Sequence, residues 1–132
     1  VTDYLRFLAR WQHVAPGTQV STPAGLVQVI AQLQGWEAAV AAWEPEILAA
    51  RVRGYDGAWI DRLCHDGELQ WLRLSPRPGD TSDRRGAGPS KATPIGLVLR
   101  DDLPWLLAAV RGDQHPAVPA AGPVAEIAEV LA

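Results

Sequence analysis

The hydrophobic pattern of this chain changes its period at Gly67, and this change restricts the folds that the chain can adopt. Before Gly67, apolar residues recur every three or four positions, as they do on one face of a helix. After Gly67 they alternate with polar residues in 69–74 and again in 94–100, which is typical of half-buried strands. The sequence therefore predicts helices first and then two strands that pair antiparallel.

Capping residues and helix breakers give the limits of the helices. Thr22 followed by Pro23 predicts a helix start, and Gly35 predicts its end. Pro45 lies inside the apolar segment 36–53, which predicts two short helices or one kinked helix. The other predicted helices run from Thr2 through Trp11, from Asp56 to the turn at Gly67, and from Asp101-Asp102 through Val110.

This order of helices, strand, polar loop and strand is that of a winged helix, in which the hairpin is the wing. The predicted fold is mainly α with a small β-hairpin (α+β): a three-helix core, a two-stranded antiparallel wing and flanking helices. The predicted division is an N-terminal helix and connection (1–20), a winged-helix-like domain (21–110, with the wing loop at 75–93) and a linker into the start of a further helix (111–132).

The chain has 132 residues, of which 48% are hydrophobic, and this is enough for one compact domain. A single core is predicted to unite the three helices with the hairpin. Its predicted members are Ile30, Leu33, Ile47, Leu48, Ile60, Leu63, Leu72 and Leu97. Trp36, Trp43, Trp59 and Trp105 are also predicted to be core residues because of their apolar neighbours, while Trp71 is predicted to be partly exposed.

The net charge of −3 gives the chain no overall positive field for nucleic acid. Residues 51–100 differ, with nine basic and six acidic residues, a local charge of +3. The candidate phosphate-binding residues are Arg62, Arg73, Arg77, Arg84, Arg85 and Lys91. The alternative for the wing loop is a solvated segment whose charges only aid solubility.

The helix in the recognition position of a winged helix would present Asp61, Arg62, His65 and Asp66 outward. That face is not basic, so we do not expect it to read base sequence. A nonspecific contact with DNA backbone through the wing is the leading interpretation. The alternative is a purely structural module that packs against neighbouring winged-helix domains or mediates self-association.

No catalytic or metal-binding site is predicted. The glycine-rich segment 86–91 lacks the spacing of a phosphate-binding loop, and the histidines lack metal-ligand spacing. Cys64, the only cysteine, is predicted to be a core residue, and the absence of a possible internal disulfide fits the cytoplasm. The chain has no Met, and its last apolar residues follow helical spacing up to the end, so we expect a fragment of a larger protein.

Several segments resemble successive landmarks of the Lhr (large helicase-related) family of bacterial superfamily 2 ATP-dependent DNA helicases. These segments are 4–18, 32–37, 43–52, 54–55, 63–75, 93–95 and 99–103. The resemblance implies that the chain comes from a C-terminal winged-helix region. It also implies a parent protein whose RecA-like domains use ATP and Mg²⁺ to move along single-stranded DNA. In this family the C-terminal region is further linked to a glycosylase-like architecture and to self-association, but no catalytic residue of that kind maps onto this segment.

Overall fold

The computed structural model describes residues 1–75, 90–112 and 130. Its elements, in chain order, are α1 (Thr2–Trp11), α2 (Pro23–Leu33), β1 (Ala38–Ala39), α3 (Val40–Ala42), a π-helical segment (Trp43–Leu48), α4 (Ala49–Arg51), α5 (Gly57–His65), β2 (Leu69–Leu72), β3 (Pro94–Leu99), a 3₁₀ turn (Arg100–Asp102) and α6 (Leu103–Arg111). This order confirms the mainly helical α+β, winged-helix prediction. No helix in the described ranges is long and apolar enough to cross a membrane.

The α2 helix has the limits that its sequence predicts. The Thr22 side chain accepts a hydrogen bond of 3.0 Å from the backbone N–H of Gly25, and Pro23 occupies the first helical position. Gly35 follows the helix at a φ of +85°, a conformation that favours glycine. The buried side of α2, which includes Leu26, Val29 and Ile30, forms the centre of the domain.

Residues 40–51 form a continuous helical stretch in which the turn around Pro45 is π-helical. Proline has no N–H to donate, so its position cannot complete an ordinary α-helical hydrogen bond. Trp43 and Leu48 would point about 140° apart in a regular α-helix with 3.6 residues per turn. The wider π-turn brings Trp43, Ile47 and Leu48 together into the core, where all three are buried.

Within the described residues, the sheet has three strands in the order β1-β3-β2, and the strands pair antiparallel. The hairpin register runs from Leu69 opposite Leu99 to Leu72 opposite Gly96, which confirms the predicted pairing. The strands are shorter than predicted, because β2 ends at Leu72 and Arg100 begins a 3₁₀ turn. The β1 strand was not predicted, because its two alanines give no sequence signal for a strand.

In the part of the chain that the structure describes, the buried apolar residues form two clusters, so the prediction of a single core is wrong. The larger cluster joins the helices to one face of the sheet and contains Leu26, Val29, Ile30, Leu33, Trp43, Ile47, Leu48, Val52, Ile60, Leu69, Ile95 and Leu97, with Leu63 packed against it. In the second cluster, Leu74 and Val98 pack with Leu106 of α6. Leu72, predicted for the single core, packs against this second cluster, because α6 returns to cover a further part of the hairpin.

Only some of the tryptophans predicted for the core are buried. Trp43 is 2% exposed, and its indole N–H donates a 2.9 Å hydrogen bond to the backbone carbonyl of Ile95. Trp59 is half-buried against the larger cluster. Trp36 is 49% exposed, contrary to the prediction, because it packs edge-on against Trp43 at a centroid distance of 5.7 Å and leaves its outer side open.

Trp105 is also exposed, contrary to the prediction, and its indole lies near the start of α6. Its indole N–H donates to Oδ1 of Asp102 at 3.0 Å, while the Gln34 amide donates to Oδ2 of the same carboxylate at 2.8 Å. These two hydrogen bonds, that from Trp105 first, lower the pKa of Asp102. Asp102 therefore does not cap the backbone of α6 as predicted, because its oxygens are occupied by side chains.

The α1 helix lies on the surface and has no buried residue. Its predicted cap is wrong, since Thr2 is already helical and Val1 before it makes no side-chain hydrogen bond. The end of α1 is held instead by Gln32, whose amide donates to the Trp11 carbonyl at 2.8 Å, and by Arg51, which donates to the Gln12 side chain at 3.0 Å.

Candidate nucleic-acid interface

The α5 helix occupies the recognition position, and its outward face carries two aspartates and one arginine, a formal charge of −1. Asp56 caps the helix by accepting a 2.9 Å hydrogen bond from the N–H of Ala58. The residues predicted to face outward, Asp61, Arg62, His65 and Asp66, are all exposed. Arg62 lies 3.6 Å from the carboxylate of Asp66 on its own helix. Its charge is thus partly neutralised, which makes it the weakest of the described candidates for phosphate binding.

Arg73 lies at the end of β2, where the wing loop begins. Its guanidinium Nε donates to the Ser75 carbonyl at 3.1 Å. The backbone beyond it is held by Glu37, whose Oε1 accepts hydrogen bonds from the N–H groups of Leu74 at 2.6 Å and Ser75 at 3.2 Å. Arg73 therefore projects from a fixed point of the fold.

Lys91 lies at the other end of the wing loop, on the side of β1. Its backbone carbonyl accepts a 3.1 Å hydrogen bond from Ala41, and the carbonyl of Thr93 accepts one of 3.0 Å from Val40. The Lys91 side chain is exposed. Arg73 thus follows β2, whereas the backbone of Lys91 is hydrogen-bonded just after β1, and β3 lies between these two strands.

The structure adds Arg111, which the sequence prediction missed. This residue is in the last turn of α6, and its Nη2 donates to the backbone carbonyl of Arg73 at 3.3 Å. Two guanidinium groups thus lie at the same end of β2, and neither forms an ion pair within residues 1–75 and 90–112. No local signal could have shown this, since the two residues are 38 positions apart.

The remaining candidates, Arg77, Arg84 and Arg85, lie outside the described residues, as does the predicted linker and helix start from 113 to 129. The sequence between the two described wing ends, 76–89, also contains Asp80 and Asp83. Three arginines and two aspartates leave this segment with a formal charge of only +1. Any strong phosphate contact therefore needs the basic residues at the wing ends as well.

The comparison with known proteins gives the family. The protein family with the description "Large helicase-related protein, winged-helix domain" matches residues 1–95 of the chain. The chain belongs to this Lhr family. A Mycolicibacterium smegmatis protein named "Lhr helicase/ probable uracil glycosylase" is 41% identical to it over 68 residues, which cover 52% of the chain and 4% of that protein.

A second relative of this Lhr domain is the Escherichia coli protein named "Lhr helicase/uracil glycosylase". It is 36% identical over 84 residues, which cover 53% of the chain and 5% of that protein. The chain therefore spans about a twentieth of the length of these curated relatives. No solved structure matches the chain.

Two observations on the described part of the Lhr domain concern groups that often take part in catalysis. In these residues, no three histidine, cysteine, aspartate or glutamate side chains come together as a metal site. Cys64 is half-buried against the larger cluster, and burial, with a further contribution from the charge of Asp61, raises the pKa of its thiol. A thiol with a raised pKa is a poor nucleophile at neutral pH, which agrees with a structural role.

Proposed function

We propose that this Lhr winged-helix domain is a non-catalytic accessory module that contacts nucleic-acid phosphates nonspecifically through the ends and loop of its wing. The observation that carries the proposal is the pair Arg73 and Arg111. The Arg111 side chain donates a hydrogen bond to the backbone carbonyl of Arg73, so both arginines contribute positive charge near the end of β2, where it can attract a phosphate. Each guanidinium has five N–H donors and uses only one of them on a described residue.

The charges on the two candidate surfaces favour the wing over α5 as the site of phosphate contact. Along the outward face of α5, Asp61 and Asp66 accompany the single arginine, so phosphates would meet carboxylates there. At the wing, Arg73 and Lys91 begin and end a loop that contains Arg84 and Arg85. Contacts of this kind fix a backbone without reading its sequence.

The test compares two double variants of the chain. Arg73→Ala/Arg111→Ala removes the pair at the wing, and Arg10→Ala/Arg53→Ala removes the same charge from two exposed arginines elsewhere. Binding is measured by fluorescence anisotropy with a labelled single-stranded oligothymidylate from 50 to 200 mM salt. We expect the wing variant to lower the low-salt affinity about fivefold and to flatten the logarithmic salt slope by about 0.7 for each lost contact. Equal curves for both variants and the unmodified chain would contradict the proposal.

The loop itself is tested by Arg84→Ala/Arg85→Ala in the same assay. We expect weaker binding to all oligonucleotide sequences alike, because phosphate contacts carry no sequence information. A loss restricted to one sequence would instead indicate base reading by the wing.

The names of the relatives motivate a proposal for the parent protein. Both are called Lhr helicases, one with the addition "uracil glycosylase" and the other with "probable uracil glycosylase". We therefore propose an ATP-dependent bacterial DNA helicase that works in DNA repair in the cytoplasm, where the chromosome lies. ATP and Mg²⁺ would be bound by its motor domains, because the present sequence has no phosphate-binding loop. The purified chain alone is expected to show no ATPase, nuclease or glycosylase activity. Any of these activities in the purified chain, if a point mutation in the chain abolished it, would contradict this expectation.

A second candidate, a structural module without DNA contact, is favoured by the outer face of α1. Tyr4, Leu5, Phe7 and Trp11 are each between 52% and 64% exposed on this one helix. Exposed apolar patches of this kind mark interfaces with other domains or subunits. If the salt-dependent binding is absent and Phe7→Ser/Trp11→Ser weakens association with another domain of the polypeptide or with a second copy, this candidate replaces the first.

A further inference from the structure

A groove with acidic edges lies between the helices and the sheet, and its lining includes none of the arginines and lysines of the proposed DNA contact. Its volume is about 280 Å³, and it opens between the start of the helical stretch 40–51, the middle of α5 and the two hairpin strands. We call it the acidic groove. It is lined by Val40, Trp43, Glu44, Ile60, Asp61, Cys64, Trp71, Ile95 and Leu97.

The inner surface of the acidic groove is apolar. Trp43 and Leu97 are 2% and 3% exposed and form part of the core. At the mouth, Val40 is 40% exposed and Trp71 is 62% exposed. Trp71 lies opposite Leu97 in the hairpin, so a large aromatic side chain stands beside the opening. A ligand with an apolar stem would remove this surface from water and gain free energy from its burial.

The edges of the acidic groove are negatively charged. Glu44 and Asp61 are exposed, and neither forms an ion pair with a residue of the described part of the chain. The Glu44 carboxylate is held in place, because the Tyr55 hydroxyl donates to its Oε2 at 2.9 Å. Burial, this hydrogen bond and then the charges of Glu44, Asp61 and Asp56 raise the pKa of Tyr55, which shows that these carboxylates act on one region.

We propose that the acidic groove binds a lysine or arginine side chain presented, next to apolar residues, by a segment of a partner protein. The methylene stem would lie on the apolar inner surface and against the Trp71 ring, and the cationic head would lie near Glu44 and Asp61. Charge decides against nucleic acid, because its phosphates would be repelled by both carboxylates. None of the residues that line the groove is basic, so its charge is complementary to a cationic side chain.

The probe is the acetylated, amidated peptide Gly-Leu-Arg-Leu-Gly, and its control is the uncharged analogue with glutamine in place of arginine. Binding to the whole chain is followed by two-dimensional ¹H–¹⁵N NMR, in which the Trp71 indole and the Cys64 amide report on the groove. We expect the arginine peptide to bind at least about fivefold more tightly than the glutamine peptide, because only arginine combines a stem with a charge. Addition of salt should reduce this preference.

Variants assign the binding to the acidic groove. Glu44→Gln/Asp61→Asn should lower the affinity for the arginine peptide about fivefold and abolish its preference over the glutamine peptide. Glu46→Gln/Glu68→Gln removes the same charge from exposed positions outside the groove and should leave both unchanged. Trp71→Leu, which keeps an apolar strand residue, should weaken both peptides and provides a second test if the first variant fails to fold.

Three outcomes would overturn the proposal: equal affinity for the two peptides, NMR shifts confined to residues outside the acidic groove, or an equal loss of affinity in both charge variants. A fourth outcome is a dimer, detected by analytical ultracentrifugation, that disappears in Glu44→Gln/Asp61→Asn. That result would assign the groove to a second copy of the chain and would also refute a basic partner. None of these outcomes bears on the salt-dependent DNA contact, which is measured with other variants.

Discussion

Replacing Glu37 by alanine tests whether one side chain fixes the end of the wing. Glu37 comes just before β1, and its carboxylate accepts hydrogen bonds from the backbone N–H groups of Leu74 and Ser75. Leu74 is 1% exposed, so its N–H has little access to water once the carboxylate is removed, whereas Ser75 is exposed. Hydrogen bonds to charged groups contribute about 1.5–3 kcal/mol when buried and less when solvated. We therefore expect Glu37→Ala to lower the free energy of unfolding by about 2 kcal/mol.

The assay is urea unfolding followed by tryptophan fluorescence, with thermal unfolding as a second measurement. A loss of about 2 kcal/mol in a domain of this size corresponds to a fall of about 10 °C in Tm. Glu37→Gln keeps an acceptor oxygen without the charge and should lose about half as much. Glu46→Ala, at an exposed position nearby, serves as the control and should stay within about 0.5 kcal/mol of the unmodified chain.

A Glu37→Ala variant as stable as the Glu46→Ala control would refute this reasoning. The end of β2 would then be held by the second apolar cluster alone. If the reasoning is correct, the variant should also bind the oligothymidylate more weakly than the control at low salt, because Arg73 would no longer project from a fixed backbone.

Three further predictions concern the core. Leu48→Ala, at a position with 0% exposure, should cost about 3 kcal/mol in urea unfolding, and a cost below about 1 kcal/mol would mean that the site can collapse around the cavity. Trp43→Phe leaves the Ile95 carbonyl without its indole donor and should cost about 2 kcal/mol in thermal unfolding, whereas an unchanged Tm would show that this bond adds no net stability. Burial and the charge of Asp61 raise the pKa of Cys64, so its alkylation by iodoacetamide should be slower than that of free cysteine at neutral pH. As the pH increases, the alkylation rate of Cys64 should rise with a midpoint at a higher pH than that of free cysteine. A midpoint at or below that of free cysteine would contradict the last prediction.

The elements that could be predicted from the sequence are those whose signals are local. Thr22, Pro23 and Gly35 limit α2 through side-chain and backbone preferences within a few residues, and the structure confirms them. The antiparallel pairing of 69–74 with 94–100 follows from two alternating runs joined by a polar loop. Asp56 also caps α5 as its position indicates.

Some errors arose where distant segments meet, and others arose within a single helix. The single core failed because nothing near Leu72 shows that α6 returns to the hairpin. Trp105 was predicted to be buried on the strength of its apolar neighbours, but its N–H reaches Asp102 and its ring stays outside. Apolar neighbours in sequence show that a segment is buried, but they do not show which of its side chains remains at the edge.

The candidate interface could be predicted only in part for the same reason. The arginine content and loop composition indicate a basic wing, and Arg73 and Lys91 lie at its two ends. Arg111 joins Arg73 only because α6 packs along the hairpin, and the acidic groove exists only because α5 and the sheet bring Asp61 close to Trp71. Both arrangements depend on tertiary packing that periodicity does not encode.

The π-helical segment Trp43–Leu48 has a consequence for the comparison of Lhr sequences. Its wide turn accommodates one residue more than an α-turn does while Trp43 and Leu48 both remain in the core. A relative with an ordinary α-turn here needs one residue fewer between the two apolar positions. The correct alignment of such a pair has a one-residue gap inside the helix and none in the adjoining loops. An insertion or deletion of this kind would move no core side chain, so this helix can vary in length without changing the fold.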